Sequence, residues 1–191
     1  MKEVLSLQFA PDLQRPIIID LFCGSGNLLY QLQHQLNAKY SIGFEKTPEV
    51  FESTKFNFSK LELEDTCEII EGGFSDQVAK INIPIDEEVP LVFVVDPPWG
   101  NGFCHKTGLD IMNTAPPVSE IINIVSEFYS TKNVIFFIKL HEKFNEDSVS
   151  FVRSHFAFSK VFQSRIPNKI STVNSLICMN QTKSFRKSEQ E

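Results

Sequence analysis

The chain has 191 residues, 42% of them hydrophobic and 22% charged, which suits one globular domain with a sizeable core and excludes a disordered or fibrous chain. A formal net charge of −6, with no basic block beyond the terminal TKSFRK, argues against an extended nucleic-acid groove but leaves room for recognition of a single nucleotide. No apolar run reaches the ~18 residues of a membrane span, and the scattered cysteines 23, 67, 104 and 178 exclude a CxxC zinc or disulfide frame.

In chain order, PIIIDLF (16–22) reads as a strand buried on both faces, and GSGNLLYQLQHQLN follows with Leu28, Leu29, Leu32 and Leu36 at helical spacing. YSIGFE (40–45) is the next strand. TPEVFESTKFNFSKLEL carries Thr47 as N-cap, Pro48 at the first helical position, and Phe51, Phe58 and Leu61 on one face. CEIIEG (67–72) and LVFVVD (91–96) are strands separated by a helix-poor stretch. PPVSEIINIVSEFYS (116–130) is a helix, NVIFFIKL (133–140) a fifth strand, and FAFSKVFQSRI with STVNSLICMN an antiparallel pair. Most of the 18 phenylalanines are expected in the core, since a buried Phe needs no hydrogen-bond partner.

Alternating strands and helices with uninterrupted apolar strands predict an α/β fold. The expected sheet is Rossmann-like, mostly parallel and seven-stranded, with an antiparallel C-terminal hairpin and helices on both faces. One domain is expected over residues 1–180, with 181–191 a disordered tail. MKEVLSLQF is too polar and acidic for a signal peptide, so the expected location is cytoplasmic or nuclear, with no membrane and no metal.

Two stretches carry chemistry. In DLFCGSGN, Gly24 and Gly26 permit a sharp turn and close approach of a ligand, and Asp20 stands just before it. Glu45 ends the second strand nineteen residues beyond Gly26, placed to accept two hydrogen bonds from a ribose diol. The acid before the turn would repel a pyrophosphate and attract an ammonium or sulfonium, which argues for S-adenosylmethionine over NAD. The second stretch is Asp96-Pro97-Pro98-Trp99, at the end of a strand expected beside the first and facing the same crevice. Its prolines donate no N–H, so the carbonyls around them are expected to be free and rigid. A carboxylate beside such a carbonyl can receive both hydrogens of an –NH2 group, and Trp99 offers a stacking face for a base. His105 and Lys139 read as solvated residues, with proton acceptance and a phosphate contact as their alternatives. Cys23 and Cys104 read as packing groups.

Together these residues resemble the class I S-adenosylmethionine-dependent methyltransferases that carry a (D/N/S)PP(Y/F/W) motif and methylate amino nitrogens. Within that group the likeness is to the trimethylguanosine synthases, which methylate N2 of the RNA cap guanine. Asp20, Phe22, Cys23, Gly24, Gly26 and Asn27 match the family's D-x-F-C-G-x-G-G-N with one glycine fewer, and Pro97, Pro98, Trp99 and Gly100 match its S-P-P-W-G-G. KFNFSKLELEDTCEIIEGGF is similar to its R-N-N-A segment running on to G-D-F, and IPNKISTVNSLI to its final hairpin. The likeness covers roughly residues 16 to 179. It implies that residues Asp20 to Asn27, Glu45, Phe74 and Asp96 hold S-adenosylmethionine, while Trp99 stacks on guanine and Asp96 and Pro97 handle its amine. Asp96 stands in place of the family's serine, Gly73 in place of the acid that grips the adenine amine, and the family's longer amino-terminal segment is not matched. An RNA or nucleotide substrate is implied, and whether a protein partner supplies RNA affinity is left open by the sequence. The alternatives are an amino-methyltransferase for an rRNA or DNA base or a small molecule, and a cofactor-binding protein without catalysis.

Overall fold

The computed structural model describes residues 15–81, 89–130, 133–165 and 172–181. Seven strands belong to one mostly parallel sheet with an antiparallel hairpin at its C-terminal end, and two more form a short ribbon. The chain divides into two compact units: residues up to Val94 with the segment ending at Val134, and Val95–Ser130 with the residues from Ile135 onward.

In the first unit the strand order is β3-β2-β1-β4, all parallel. β1 (Ile17–Asp20) pairs with β2 (Tyr40–Glu45) on one side and β4 (Leu91–Val95) on the other. Every residue of β1 and β4 is buried, as their unbroken apolar runs require of strands covered on both faces. β3 (Cys67–Glu71) alternates instead, with Cys67 and Ile69 buried and Glu68 exposed, as in a strand with one face to the core and one to solvent. The strand beside the first is therefore the fourth, as expected, and it ends at Val95.

Two helices of this unit are set by backbone chemistry. α1 (Asn27–Gln35) starts directly after Gly26, whose φ of 74° lies in the left-handed region, and buries Leu29 and Leu32. α2 (Pro48–Lys60) starts at Thr47 with proline at the first turn, but Thr47 caps by its extended backbone and makes no side-chain capping bond. Its buried face is Phe51, Thr54 and Phe58. Leu61, expected on that face, is 49% exposed: it is the C-cap residue, where the helical spacing stops, and Leu63 turns inward instead. A single helical turn, α3 (Phe74–Gln77), falls in the stretch read as helix-poor.

The second unit begins as the chain leaves β4. The ribbon β5 (Phe103–Cys104) and β6 (Gly108–Leu109) precedes α4 (Val118–Tyr129), which buries Val118, Ile121, Ile122 and Val125 at helical spacing. β7 (Val134–Leu140) follows, then α5 (Glu146–Arg153), β8 (Phe156–Arg165) and β9 (Thr172–Gln181). Here the order is β7-β9-β8, antiparallel throughout. Gln181 pairs with Phe156 and so closes β9 rather than opening a tail. Residues 182–191, the rest of that expected tail, lie outside the described residues.

A methyl group at residue 26 is the sharpest test of the turn into α1. Its Cβ would lie 2.4 Å from Cε2 of the buried Phe58 ring, on a backbone with φ of +74°. Gly26→Ala is expected to cost about 1–3 kcal/mol in denaturant unfolding; an unchanged midpoint would contradict this packing.

Candidate functional site

Beyond its backbone pairing, the loop after β1 is tied by hydrogen bonds between side chains and backbone. The Phe22 N–H donates to Asp20 Oδ1 at 3.1 Å, the Gly24 N–H to Glu45 Oε2 at 3.1 Å, and the Thr54 hydroxyl to the Gly24 carbonyl at 2.8 Å. Glu45 also accepts the Thr47 N–H on Oε1 at 2.7 Å, so both carboxylate oxygens are held while each keeps a further lone pair. The two glycines play different parts. A Cβ on Gly24 would meet nothing within 4 Å, so this glycine (φ +51°) borders open space, whereas Gly26 is glycine because Phe58 and Thr54 fill the room beside it. The expected room beside the backbone is thus present at Gly24, while at Gly26 it is filled by protein. Asn27 is exposed at the helix start, and Phe74 is 4% exposed with its ring edge-on to Phe22 at 5.2 Å.

The electrostatics of this loop suit a cation. Burial pushes the Cys23 thiol far above its ordinary value, and the Asp20 and Glu45 carboxylates push it further in the same direction. Cys67 is raised to about 12 by burial first and by Asp20 next. Asp20 and Glu45 thus place two carboxylates around the open space at Gly24. Cys23 is a packing group here, as its sequence context suggests.

The second unit carries the other motif. Asp96 and Trp99 are half-buried, Pro97 is buried and Pro98 exposed. Two of the carbonyls expected to be free are used within the fold: the Pro98 oxygen accepts the Ala115 N–H at 3.0 Å, and the Trp99 oxygen accepts the Gly102 N–H at 2.7 Å. The Pro97 carbonyl accepts none among the described residues. Trp99 belongs to an aromatic group that sequence reasoning missed. Its ring centroid is 5.4 Å from Phe103 and 5.3 Å from His141, which meets it edge-on, and Phe103 and His141 are 4.6 Å apart. The segment carrying His141 is tied to β9 by Asn174, whose buried amide donates to the His141 and Glu142 carbonyls.

Lys139 also departs from expectation. Its side chain is 39% exposed, and its Nζ lies 2.5 Å from Asp96 Oδ2, a partner the sequence did not suggest. His105 is exposed, its ring against Phe103 and its carbonyl accepting from Lys143 Nζ at 3.0 Å. Among the described residues no group of His, Cys, Asp and Glu could hold a metal ion, and no helix is long and apolar enough to cross a membrane.

Cys104, expected as a packing group, is exposed at the ribbon, and backbone hydrogen bonds from Thr107 and Lys106 hold its thiol below the ordinary range. In native protein at neutral pH, a thiol reagent is therefore expected to label Cys104 first, with Cys23, Cys67 and Cys178 reacting only on unfolding. Mass mapping of the labelled peptides checks this, and early labelling of Cys23 would contradict the burial of the loop.

The model of one protein family, described as RNA cap guanine-N2 methyltransferase, matches residues 15–179. No curated protein sequence matches the chain. Among solved structures, the methyltransferase domain of METTL16 is similar at 16% identity with a TM-score of 0.60, covering 87% of this chain and 74% of that one. An rRNA methylase from Streptococcus thermophilus is similar at 15% identity and TM-score 0.53, covering 88% and 90%. M. capricolum TrmK, solved with S-adenosyl-homocysteine, is similar at 15% identity and TM-score 0.55, covering 93% and 67%. At such identities these structures speak for the fold, while the family match spans most of the sequence. The chain belongs to the RNA cap guanine-N2 methyltransferase family, and it is an S-adenosylmethionine-dependent methyltransferase of Rossmann-like fold.

Proposed function

We propose that the protein methylates an exocyclic base amine of RNA, namely N2 of guanine in a 7-methylguanosine-type nucleotide. The observation that carries this is the joint presence, after β4, of the Asp96 carboxylate, the Pro97 carbonyl and the half-exposed Trp99 ring. S-adenosylmethionine supplies the electrophilic methyl group. In this proposal Asp20 favours its ammonium end, Glu45 accepts its ribose hydroxyls, and the backbone from Phe22 to Asn27, with Phe74, lines its seat. The Asp96 carboxylate and the Pro97 carbonyl each accept one hydrogen of the acceptor amine, which keeps the nitrogen lone pair on the nitrogen and aims it at the methyl carbon. Pro98 stiffens the turn, and Trp99 stacks on the purine.

The nitrogen lone pair forms the new N–C bond, and the electrons of the broken S–C bond go to sulfur. Positive charge grows on nitrogen beside acceptors already oriented for it, where it is most strongly stabilised. The product ammonium is acidic enough to release its proton to water, so no strong base is required before attack. We further propose that residues 1–180 work as one domain, in the cytoplasm or nucleus, with a protein partner supplying the RNA affinity that a net charge of −6 does not.

One observation favours a second reading, a neutral base amine such as one in rRNA. The Lys139 ammonium beside Asp96 offsets the negative charge that would attract a cationic N7-methylated guanine. One assay separates the two: labelled cofactor with 7-methylguanosine phosphates, unmethylated guanosine phosphates, capped RNA, rRNA and DNA, and mass spectrometry of the methylated base. N2-methylated product from the 7-methylguanosine compounds alone supports the first reading, and product from an unmethylated base the second. Absence of any methylated amine would overturn both.

The residue roles are checked on the same acceptor. Trp99→Ala is expected to lower acceptor kcat/KM roughly 10- to 100-fold, from the lost stacking, with cofactor Kd unchanged. Glu45→Ala is expected to weaken the cofactor by a roughly similar factor, from the lost charged hydrogen bonds. Loss of cofactor binding in the Trp99 variant, or unaltered binding in the Glu45 variant, would refute the respective role.

A further inference from the structure

Lys139 is the next-to-last residue of β7, where its neighbours Ile138 and Leu140 are buried and its own side chain lies on the other face, 39% exposed. From there Nζ reaches 2.5 Å to Oδ2 of Asp96, whose side chain is 24% exposed. A pair this open to water adds little to stability, since solvent screens the charges and a long side chain must be ordered. Its effect is geometric. An aspartate carboxylate has two oxygens and a freely turning terminal torsion, so alone it could present either oxygen, or both, to a base. Bound to an ammonium on one oxygen, it presents the other.

The neighbouring acceptors sharpen this. The Pro98 and Trp99 carbonyls are occupied by the Ala115 and Gly102 N–H groups. Asp96 Oδ1 and the Pro97 carbonyl have no protein donor among the described residues, two acceptors for two hydrogens, while Oδ2 is held at the lysine. We propose that Lys139 is a positioning residue for methyl transfer: by holding Asp96 Oδ2 it directs Oδ1, together with the Pro97 carbonyl, at the acceptor amine. Lys139 touches neither reactant. The inference rests on the role given to Asp96 above.

A phosphate contact would engage the same lysine differently. It would act on ground-state binding, and so on KM, whereas alignment of the amine is felt mainly as bonds form, and so in kcat. The test uses the full chain and the base that the acceptor assay identifies. Lys139→Met is expected to lower kcat about tenfold or more, the scale of one charged hydrogen bond set free, with acceptor KM, S-adenosylhomocysteine Kd and melting temperature nearly unchanged. Lys139→Gln serves if the methionine variant does not fold. Lys139→Arg, which keeps a cation on Asp96, is expected to restore most of the turnover. In an Asp96→Asn background, Lys139→Met is expected to cause no further loss, because the lysine acts through that carboxylate.

A raised KM with unchanged kcat would identify a phosphate contact and overturn the proposal. Parallel loss of turnover, cofactor affinity and melting temperature would reduce Lys139 to a structural brace. Full activity of Lys139→Met alongside an inactive Asp96→Asn would sink the inference alone. Full activity of Asp96→Asn would remove the role of the carboxylate and carry the inference down with it.

Discussion

Asp20 is a carboxylate at 2% exposure, closing a strand whose other residues are Ile17, Ile18 and Ile19. Burying an acid is expensive unless hydrogen bonds and charge partners offset it. The loop that follows is shaped by that constraint. The Phe22 N–H turns back to the carboxylate, the chain reverses through two left-handed glycines, and Glu45 and Thr54 fasten Gly24 from β2 and α2. The result is a bend with two carboxylates, bordered by open space at Gly24, beside which the buried Cys23 and Cys67 thiols stay protonated. In the proposed function these same two carboxylates favour the cationic end of the cofactor.

The acceptor motif follows a different logic. Prolines remove N–H donors, and the carbonyls they leave can serve the fold or a ligand. Here the fold takes those of Pro98 and Trp99, which fixes the turn and leaves the Pro97 carbonyl beside Asp96. Trp99 is kept half-buried by Phe103 and His141, a placement that steadies the ring and leaves part of it exposed. Asparagine 174, buried in β9, anchors the segment bearing His141. The family's serine is an aspartate here, and its charge is met by Lys139, so the substitution comes with its counterion.

Local signals made much of this legible from sequence. β2 has the expected bounds, because an alternating or apolar run between turn residues leaves little choice. α2 begins where Thr47 and Pro48 put it, yet its end was misread: Leu61 continues the apolar pattern one residue past the last helical residue, Lys60. α5 was missed although Asn145 accepts the Asp147 and Ser148 N–H groups, a cap that NEDS announces before the short apolar face of Val149 and Val152. The pairs Asp96–Lys139 and Trp99–His141 lie 43 and 42 residues apart in the chain, and no spacing rule links them. Such contacts depend on strand order and register, which a single sequence constrains only loosely.

The central claim is that the Gly24–Glu45 bend and the Asp96–Trp99 turn serve one reaction. The most direct measurement is the affinity of a bisubstrate compound in which the adenosyl group is joined by a short carbon linker to N2 of guanine. If both segments serve one transfer, tethering makes the second contact intramolecular, and the compound should bind roughly 100-fold or more tightly than S-adenosylhomocysteine. Affinity no better than that of S-adenosylhomocysteine would contradict the account.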